Sequence, residues 1–394
     1  MFKIQTLNNI AEKGLSILKN DGYTTETDIS DPDGILVRSH KMHDMELGPS
    51  LKAIARAGAG VNNIPIDHCS DRGIVVFNTP GANANSVKEL VLSGLLLSSR
   101  KIQQGLQWTQ TLSGKGSEVA KLVEKQKSSF AGPEIGGKTL GVVGLGAIGV
   151  IVSNAATALG MEVIGYDPFI SVESAWGLSR AVNRARSLES LYSKCDYITI
   201  HVPLNEQTSG MLNAKAFAQM KKGVRILNFA RGPLVNNADV IDAVDKGIVS
   251  VYVTDFPEDE LLGHENILCV PHLGASTPEA EENCAVMAAN QIKDFLETGN
   301  ITNSVNFPEC RTDGTSPERL VVANRNIPNM VGQITAVLAE ENINILDMLN
   351  RHRDELAYNI INIDRRVTEH SMSRIREIEG VIMVRAFHFD KSAW

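Results

Sequence analysis

The chain has 394 residues, enough for two or three domains of ordinary size. Its composition, 43% hydrophobic and 21% charged, is that of a globular protein with a sizeable core, and a formal net charge of -8 argues against a nucleic-acid partner. No apolar run approaches a membrane span, the opening MFKIQTLNNIAEKGL lacks a signal-type apolar core, and the five cysteines (Cys69, Cys195, Cys269, Cys284 and Cys310) form no C-x-x-C, so a reduced, cytoplasmic protein without membrane or metal partner is expected.

Along the first part of the chain, short apolar runs alternate with helical ones, at residues 2–6, 10–18, 34–38, 51–57 and 74–78, which predicts a first parallel α/β unit. A long helical pattern over residues 86–112 carries the chain away from it. The stretch GPEIGGKTLGVVGLGAIG, beginning at Gly132, then matches two phosphate-binding patterns, a P-loop and a dinucleotide fingerprint. Chain order separates them. A P-loop follows a strand, whereas Gly132, Gly137, Lys138 and Thr139 precede the strand-like run Leu140-Gly141-Val142-Val143. Gly144, Gly146 and Gly149 instead close that strand and open a helical run over 147–159. A second strand-like run over 161–166 ends at Asp167, about 20 residues past the glycines, where the fingerprint places the acid that binds the ribose diol of NAD and repels the 2′-phosphate of NADP.

Further strands are predicted at 195–202, 224–230, 249–255 and 267–270, with helical runs between them, and an amphipathic helix at 277–297. Residues 300–317, NITNSVNFPECRTDGTSP, are rich in turn formers and read as a linker. The last segment has strands at 319–324, 344–349, 358–363 and 381–387 and helices at 331–341 and 371–378; this βαββαβ order is that of a small ferredoxin-like unit.

Open α/β sheets bind ligands beyond the carboxyl ends of their strands, so polar residues there are the candidates for chemistry. Arg231 follows the strand ending at Ala230 and could clamp a carboxylate in bidentate fashion. Asp255 ends the next strand and is followed by Glu258, Asp259 and Glu260. His272 ends the strand after that, and imidazole exchanges a proton readily near neutral pH. His201 also ends a strand, a position that serves structure as readily as chemistry.

The motifs Gly144-Leu145-Gly146-Ala147-Ile148-Gly149, Asn228-Phe229-Ala230-Arg231-Gly232, Asp255 and Pro271-His272-Leu273-Gly274 resemble the D-2-hydroxyacid dehydrogenase family in order and spacing, over residues 1 to about 305. The segment after them is similar to an ACT regulatory domain. The resemblance implies a flavodoxin-like α/β substrate domain (1–88 and 277–305) with a Rossmann NAD-binding domain (89–276) inserted in it, a linker (306–318) and an ACT domain (319–394), the active site lying in the cleft between the first two. Leu36-Val37-Arg38-Ser39, the run from Arg56 to Asn63, and Asn78-Thr79-Pro80-Gly81-Ala82-Asn83 resemble the branch that oxidises 3-phospho-D-glycerate, the entry step of L-serine synthesis, because two guanidiniums suit a phosphate dianion. Alternatives are a dehydrogenase of another D-2-hydroxy acid, such as glycerate or lactate, and a dinucleotide-sensing protein of the corepressor kind.

Carried over residue by residue, the resemblance implies that Arg231, Glu260 and His272 are catalytic, with Arg38, Arg56, Ala57, Gly58 and Asn83 joining Arg231 and His272 around the substrate. NAD would contact Gly144, Gly146, Ala147, Ile148, Gly149, Asp167, His201, Val202, Pro203, Phe229, Ala230, Asp255 and Gly274. Two departures stand out. Ala147 is often larger and sometimes basic in the family, and the usual D-V-F-x-x-E is here Asp255-Phe256-Pro257-Glu258-Asp259-Glu260, so that counting from Asp255 selects Glu260 and a shortened loop selects Glu258. The ACT likeness implies an L-serine effector held by Asn324, Asn326 and Asn344, and the family likeness a homodimer or homotetramer.

Overall fold

Within each apolar run, the alternation of side chains decides which face of a sheet is covered and by what. The computed structural model describes residues 1–313 and 316–389. They fall into two units, Met1–Ala82 with Glu281–Trp394, and Asn83–Ala280.

The first unit opens with β1 (Lys3–Leu7), α1 (Glu12–Asn20), β2 (Thr24–Glu26), β3 (Gly34–Val37), β4 (Ala53–Arg56), α2 (Ile66–Asp71) and β5 (Val75–Phe77). Its five strands form a parallel sheet in the order β2-β1-β3-β4-β5. Ile35, Val37, Ile54 and Val76 are buried on one face with Met42, Leu51 and Ile64. Leu36, Ala53, Ala55, Val75 and Phe77 are buried on the other. Covering on both faces is what lets these strands be apolar almost throughout.

The second unit starts with α3 (Ala84–Ser99) and α4 (Ile102–Gln110). The single helix expected over residues 86–112 is therefore two, because Arg100 turns extended at φ -112° and ψ 132°. Next comes α5 (Val119–Gln126), which the sequence pattern did not signal. Then follow β6 (Thr139–Val143), α6 (Ala147–Ala158), β7 (Glu162–Tyr166), α7 (Val172–Gly177), β8 (Asn183–Arg184), α8 (Leu188–Tyr192) and β9 (Tyr197–Ile200). The unit is completed by α9 (Ala214–Phe217), β10 (Val224–Asn228), α10 (Asn237–Asp245), β11 (Val249–Thr254) and β12 (Ile267–Cys269). The strands form one parallel sheet in the order β12-β11-β10-β9-β6-β7-β8. Strand order reverses between β6 and β9, the switch point at which open α/β sheets take ligands.

A 21-residue helix, α11 (Pro278–Thr298), packs Cys284, Ala288, Ile292 and Phe295 into the core of the first sheet. After it come β13 (Glu318–Arg325), α12 (Met330–Glu340), β14 (Ile345–Arg353), β15 (Leu356–Ile363), α13 (Glu369–Arg376) and β16 (Val381–His388). This is the expected βαββαβ order, in an antiparallel sheet β14-β15-β13-β16. Along β13, Leu320 and Val322 meet Ile334 and Leu338 of α12 and Ile375 of α13. The alternate residues, Val321 and Ala323, share the core that holds Phe77, Phe295 and Phe307. Both faces of this sheet are thus covered, the second by the core of the first unit. Residues 306–318, expected as a linker, are anchored where the structure describes them. Phe307 and Cys310 are buried, Cys310 bridges to Ile301, and the Asn306 side chain accepts from the Val76 amide at 2.9 Å.

All five cysteines are unpaired, and burial pushes the thiols of Cys69, Cys195 and Cys310 up to about 12, so they behave as small apolar residues. No helix among the described residues is long and apolar enough to cross a membrane.

Two arginines of the C-terminal sheet, Arg319 buried and Arg385 half-buried, hold the last carbonyls of α11. Arg319, 3% exposed, donates to Thr298 O at 2.9 Å and to the Asn362 amide oxygen at 2.9 Å. Arg385 donates to Leu296 O at 2.9 Å and lies over the rings of Phe295 and Phe387, 4.9 and 4.6 Å from their centroids. Helix ends leave carbonyls without intrahelical partners, and a cation there answers both the hydrogen-bond deficit and the dipole. Arg319→Leu, which strands several buried acceptors, is expected to cost about 2–4 kcal/mol. Arg376→Leu, which removes only a surface ion pair with Glu369, should leave the midpoint of urea denaturation nearly unchanged.

Candidate active site

Gly144 ends β6 with φ +90°, and a Cβ there would lie 2.5 Å from His201 O, so only glycine fits. Gly149 is equally constrained: its Cβ would meet Gly144 O at 1.9 Å. Gly146 caps α6 without a side-chain hydrogen bond, and a Cβ on it would meet nothing within 4 Å. The first amides of α6 are therefore left unpartnered beside open space, and Gly146 and Ala147 are exposed, the arrangement that receives a phosphate. Asp167 follows β7. Its two carboxylate oxygens accept from the Leu145 and Phe169 amides, both at 2.8 Å, which fixes the carboxylate beside the glycine loop.

His201 follows β9, and its Nε2 is hydrogen-bonded to Thr199 Oγ1 at 3.0 Å. Burial pushes the imidazole down to about 4, so the ring is neutral near pH 7, and its Nδ1 is buried without a partner. Val202 and Pro203 continue from it beside Gly144, where a Cβ on the glycine would also touch the Val202 side chain.

Three strand ends of the same sheet gather the charged candidates. After β10, the buried Asn228 receives the Ala230 amide at 3.2 Å and donates to Arg231 O at 2.9 Å, folding Phe229 and Ala230 into a tight turn. This turn presents Arg231, which is exposed and whose side chain, among the described residues, makes one hydrogen bond, to Ala230 O at 2.7 Å. Asp255, after β11, is 1% exposed; one oxygen accepts from the Gly274 amide at 3.2 Å and the other, Oδ1, is buried with no partner among the described residues. Burial pushes this carboxyl up, against the opposing influence of the His272 and Arg231 side chains. His272 donates its backbone amide to Asp255 O at 3.1 Å, and its exposed ring stands edge-on to Phe256 at 4.9 Å.

Neither candidate partner of His272 is hydrogen-bonded to it. Glu258 accepts from the Asn237 amide at 2.9 Å, while Glu260 is exposed on a short 3-10 turn at residues 259–261 and makes no hydrogen bond among the described residues. Asn228 and Phe256 stand within the motifs quoted above without a role assigned to either, and Asn237 lies outside them. The one signal for them is Asn228, a buried polar residue at the end of its strand.

In the first unit, Arg38 and Arg56 stand at the carboxyl ends of neighbouring strands, Arg56 Nε donating to Arg38 O at 2.9 Å. Arg38 pairs with Glu281 of α11 at 2.6 Å. Gly58 leaves room for the Arg56 guanidinium, because a Cβ would lie 2.7 Å from it; Ala57 is buried between them in the chain. Asn83 belongs to the other unit, where it caps α3 without a side-chain hydrogen bond. Of the three asparagines expected to hold an effector, Asn324 is turned inward: it is 1% exposed, donates to Arg325 O at 2.6 Å and accepts from Asn359 at 2.8 Å. Asn326 donates to Asp354 O at 3.1 Å, and the Asn344 side chain is exposed. Among the described residues no group of three or more metal-binding side chains is assembled.

Residues 92–274 match the model of the D-isomer specific 2-hydroxyacid dehydrogenase NAD binding domain. D-3-phosphoglycerate dehydrogenase of Haemophilus influenzae is 31% identical over 370 residues, which cover 90% of this chain and 86% of that protein. The chain belongs to the D-2-hydroxyacid dehydrogenase family. Human D-3-phosphoglycerate dehydrogenase is 34% identical over 322 residues, covering 78% of this chain but 57% of the human protein, so the chain spans little more than half the length of such relatives. Among solved structures, the NAD+-bound 3-phosphoglycerate dehydrogenase of Entamoeba histolytica matches 77% of this chain and 98% of its own at a TM-score of 0.61 and 29% identity.

The neutral state of His201 has a measurable consequence for this family member. The unfolded chain binds a proton near pH 6.5 that the folded ring refuses until about pH 4, so stability from this group is complete above 6.5 and is lost as pH falls through that window. In urea denaturation, the drop in midpoint between pH 7 and pH 5 is expected to be smaller for His201→Asn than for the wild type.

Proposed function

We propose that the chain oxidises 3-phospho-D-glycerate to 3-phosphohydroxypyruvate with NAD, as an enzyme of L-serine synthesis. One observation carries the reading: a buried carboxylate with an orphan oxygen, Asp255, lies beside an exposed imidazole and a guanidinium with spare donors at the carboxyl edge of a dinucleotide-type sheet. NAD fits these residues, with its phosphates at the uncapped start of α6, its ribose at Asp167 and its nicotinamide oriented by Asp255. Bound there, the nicotinamide supplies the acceptor for the hydride leaving C2. His272 takes the C2 hydroxyl proton on an imidazole nitrogen, and in reverse returns it. Arg231 holds the substrate carboxylate, and Arg38 and Arg56 the phosphate. Glu260 supports the charged imidazole through its other nitrogen, a role left to it because Glu258 is engaged by Asn237.

The same reading includes assembly and control. Neither α4 nor α5 buries a single residue although both are amphipathic, which supports a homodimer formed through this excursion. An ACT role for the antiparallel sheet, with L-serine as effector, draws support from Asn326 and Asn344.

NADH formation from 3-phosphoglycerate should exceed that from glycerate and D-lactate, and added L-serine should depress it. Equal turnover of glycerate would assign a phosphate-free hydroxy acid, and no turnover with dinucleotide binding intact would assign a sensing role. His272→Ala is expected to lower kcat by about 10²–10⁴-fold. Glu260→Gln should shift the pH profile of kcat/KM, whereas Glu258→Gln should leave the profile in place.

A further inference from the structure

The edge of the seven-stranded sheet opposite Arg231, Asp255 and His272 presents the starts of its strands. Arg225 is the second residue of β10 and Ser250 the second of β11. They line a cavity of about 230 Å³ with Arg100, Lys101 and Gly132. At about 3.3 Å per residue, the strand from Arg225 to its end at Asn228 alone separates it by about 10 Å from the turn that presents Arg231. The cavity is smaller than the roughly 300–1,000 Å³ of sites that enclose a drug-sized ligand.

Its chemistry is that of an anion site. Three cations line it against one carboxylate, Glu265. Arg225 is held by its Nε on Ser98 O at 2.9 Å and lies over the Tyr197 ring at 5.3 Å; its terminal nitrogens make no hydrogen bond among the described residues. Arg100 and Lys101 have no ion pair there. Ser250 Oγ is buried without a partner among the described residues, whereas buried hydroxyls are ordinarily hydrogen-bonded. Lys101 and Gln104 both line the cavity and flank the start of α4, which has no side-chain cap, so its first turn borders the same space.

The position gives the site a task. Residues 102–131, with α4 and α5, form an excursion of the chain whose two ends touch, since a Cβ on Gly132 would lie 2.1 Å from Ser99 O. Both ends and the sheet form the walls. We propose that this cavity binds a small tetrahedral dianion, inorganic phosphate or its like, which fastens the neck of the α4–α5 excursion to the sheet.

Hydrogen–deuterium exchange on the full chain saturated with NADH tests this, comparing inorganic phosphate with chloride at equal ionic strength. Phosphate should slow exchange saturably at residues 98–104 and 131–133 in the wild type. In the double variant Arg100→Gln, Lys101→Gln, whose changes are on exposed side chains, half-saturation should rise at least about tenfold. NADH should protect residues 144–149 equally in both proteins, showing that the variant is folded. Absence of protection at the neck in the wild type, or the same half-saturation in the variant, would overturn the proposal.

Discussion

The approach of Gly144 to His201 is the contact on which the dinucleotide unit depends. Backbone lies against backbone where β6 and β9 part, and a single methyl group would drive them apart. With the strands closed in this way, the chain turns directly into α6, its first amides face outward, and Asp167 can reach back to the Leu145 amide. The surfaces proposed to receive phosphate and ribose follow from one steric condition. The desolvated ring of His201 belongs to the same contact, since a neutral imidazole is the form that tolerates such an interior position.

The reactive edge is built by a different device. Parallel strands that end together deliver polar residues to one rim, but the rim residues need turns to aim them. Asn228 supplies one by bonding to the two residues on either side of the strand-end turn, and Asp255 supplies another by receiving both the Gly274 amide on its side chain and the His272 amide on its carbonyl. Arg231 and His272 consequently share a neighbour that is buried and acidic. The orphan Asp255 oxygen carries an unmet hydrogen-bonding demand, of the kind that functional sites keep and structural ones remove.

The C-terminal sheet is bound to the first unit by alternation and by two guanidiniums. Even-numbered residues of β13 meet its own helices and odd-numbered ones meet the core around Phe77 and Phe295, so the sheet is an integral layer of that unit. Arg319 and Arg385 close the end of α11, whose opposite end carries Glu281 to Arg38. A single helix thus joins the sheet's anchoring point to one of the arginines assigned to the substrate.

Much of this was legible in the residues alone. The glycine spacing, the strand before it and the acid after it determined the dinucleotide unit, because the turn leaves glycine as the only choice at Gly144 and Gly149; strand-end placement likewise singled out Arg231, Asp255 and His272. The βαββαβ order was readable from hydrophobic period, since each of its elements has a covered face. Other features belong to tertiary structure. The helix break at Arg100 depends on a backbone turn between two runs of the same period, and α5, though amphipathic, is only two turns long and buries no residue. Residues 306–318 look like a tether because turn formers are common there, yet Phe307 and Cys310 find a core made by distant strands. Asn324 and Glu258 were plausible ligand-facing residues by type, and only the folded chain determined that Asn359 and Asn237 would take their hydrogen bonds, because partners so far away in sequence are chosen by packing and not by local pattern.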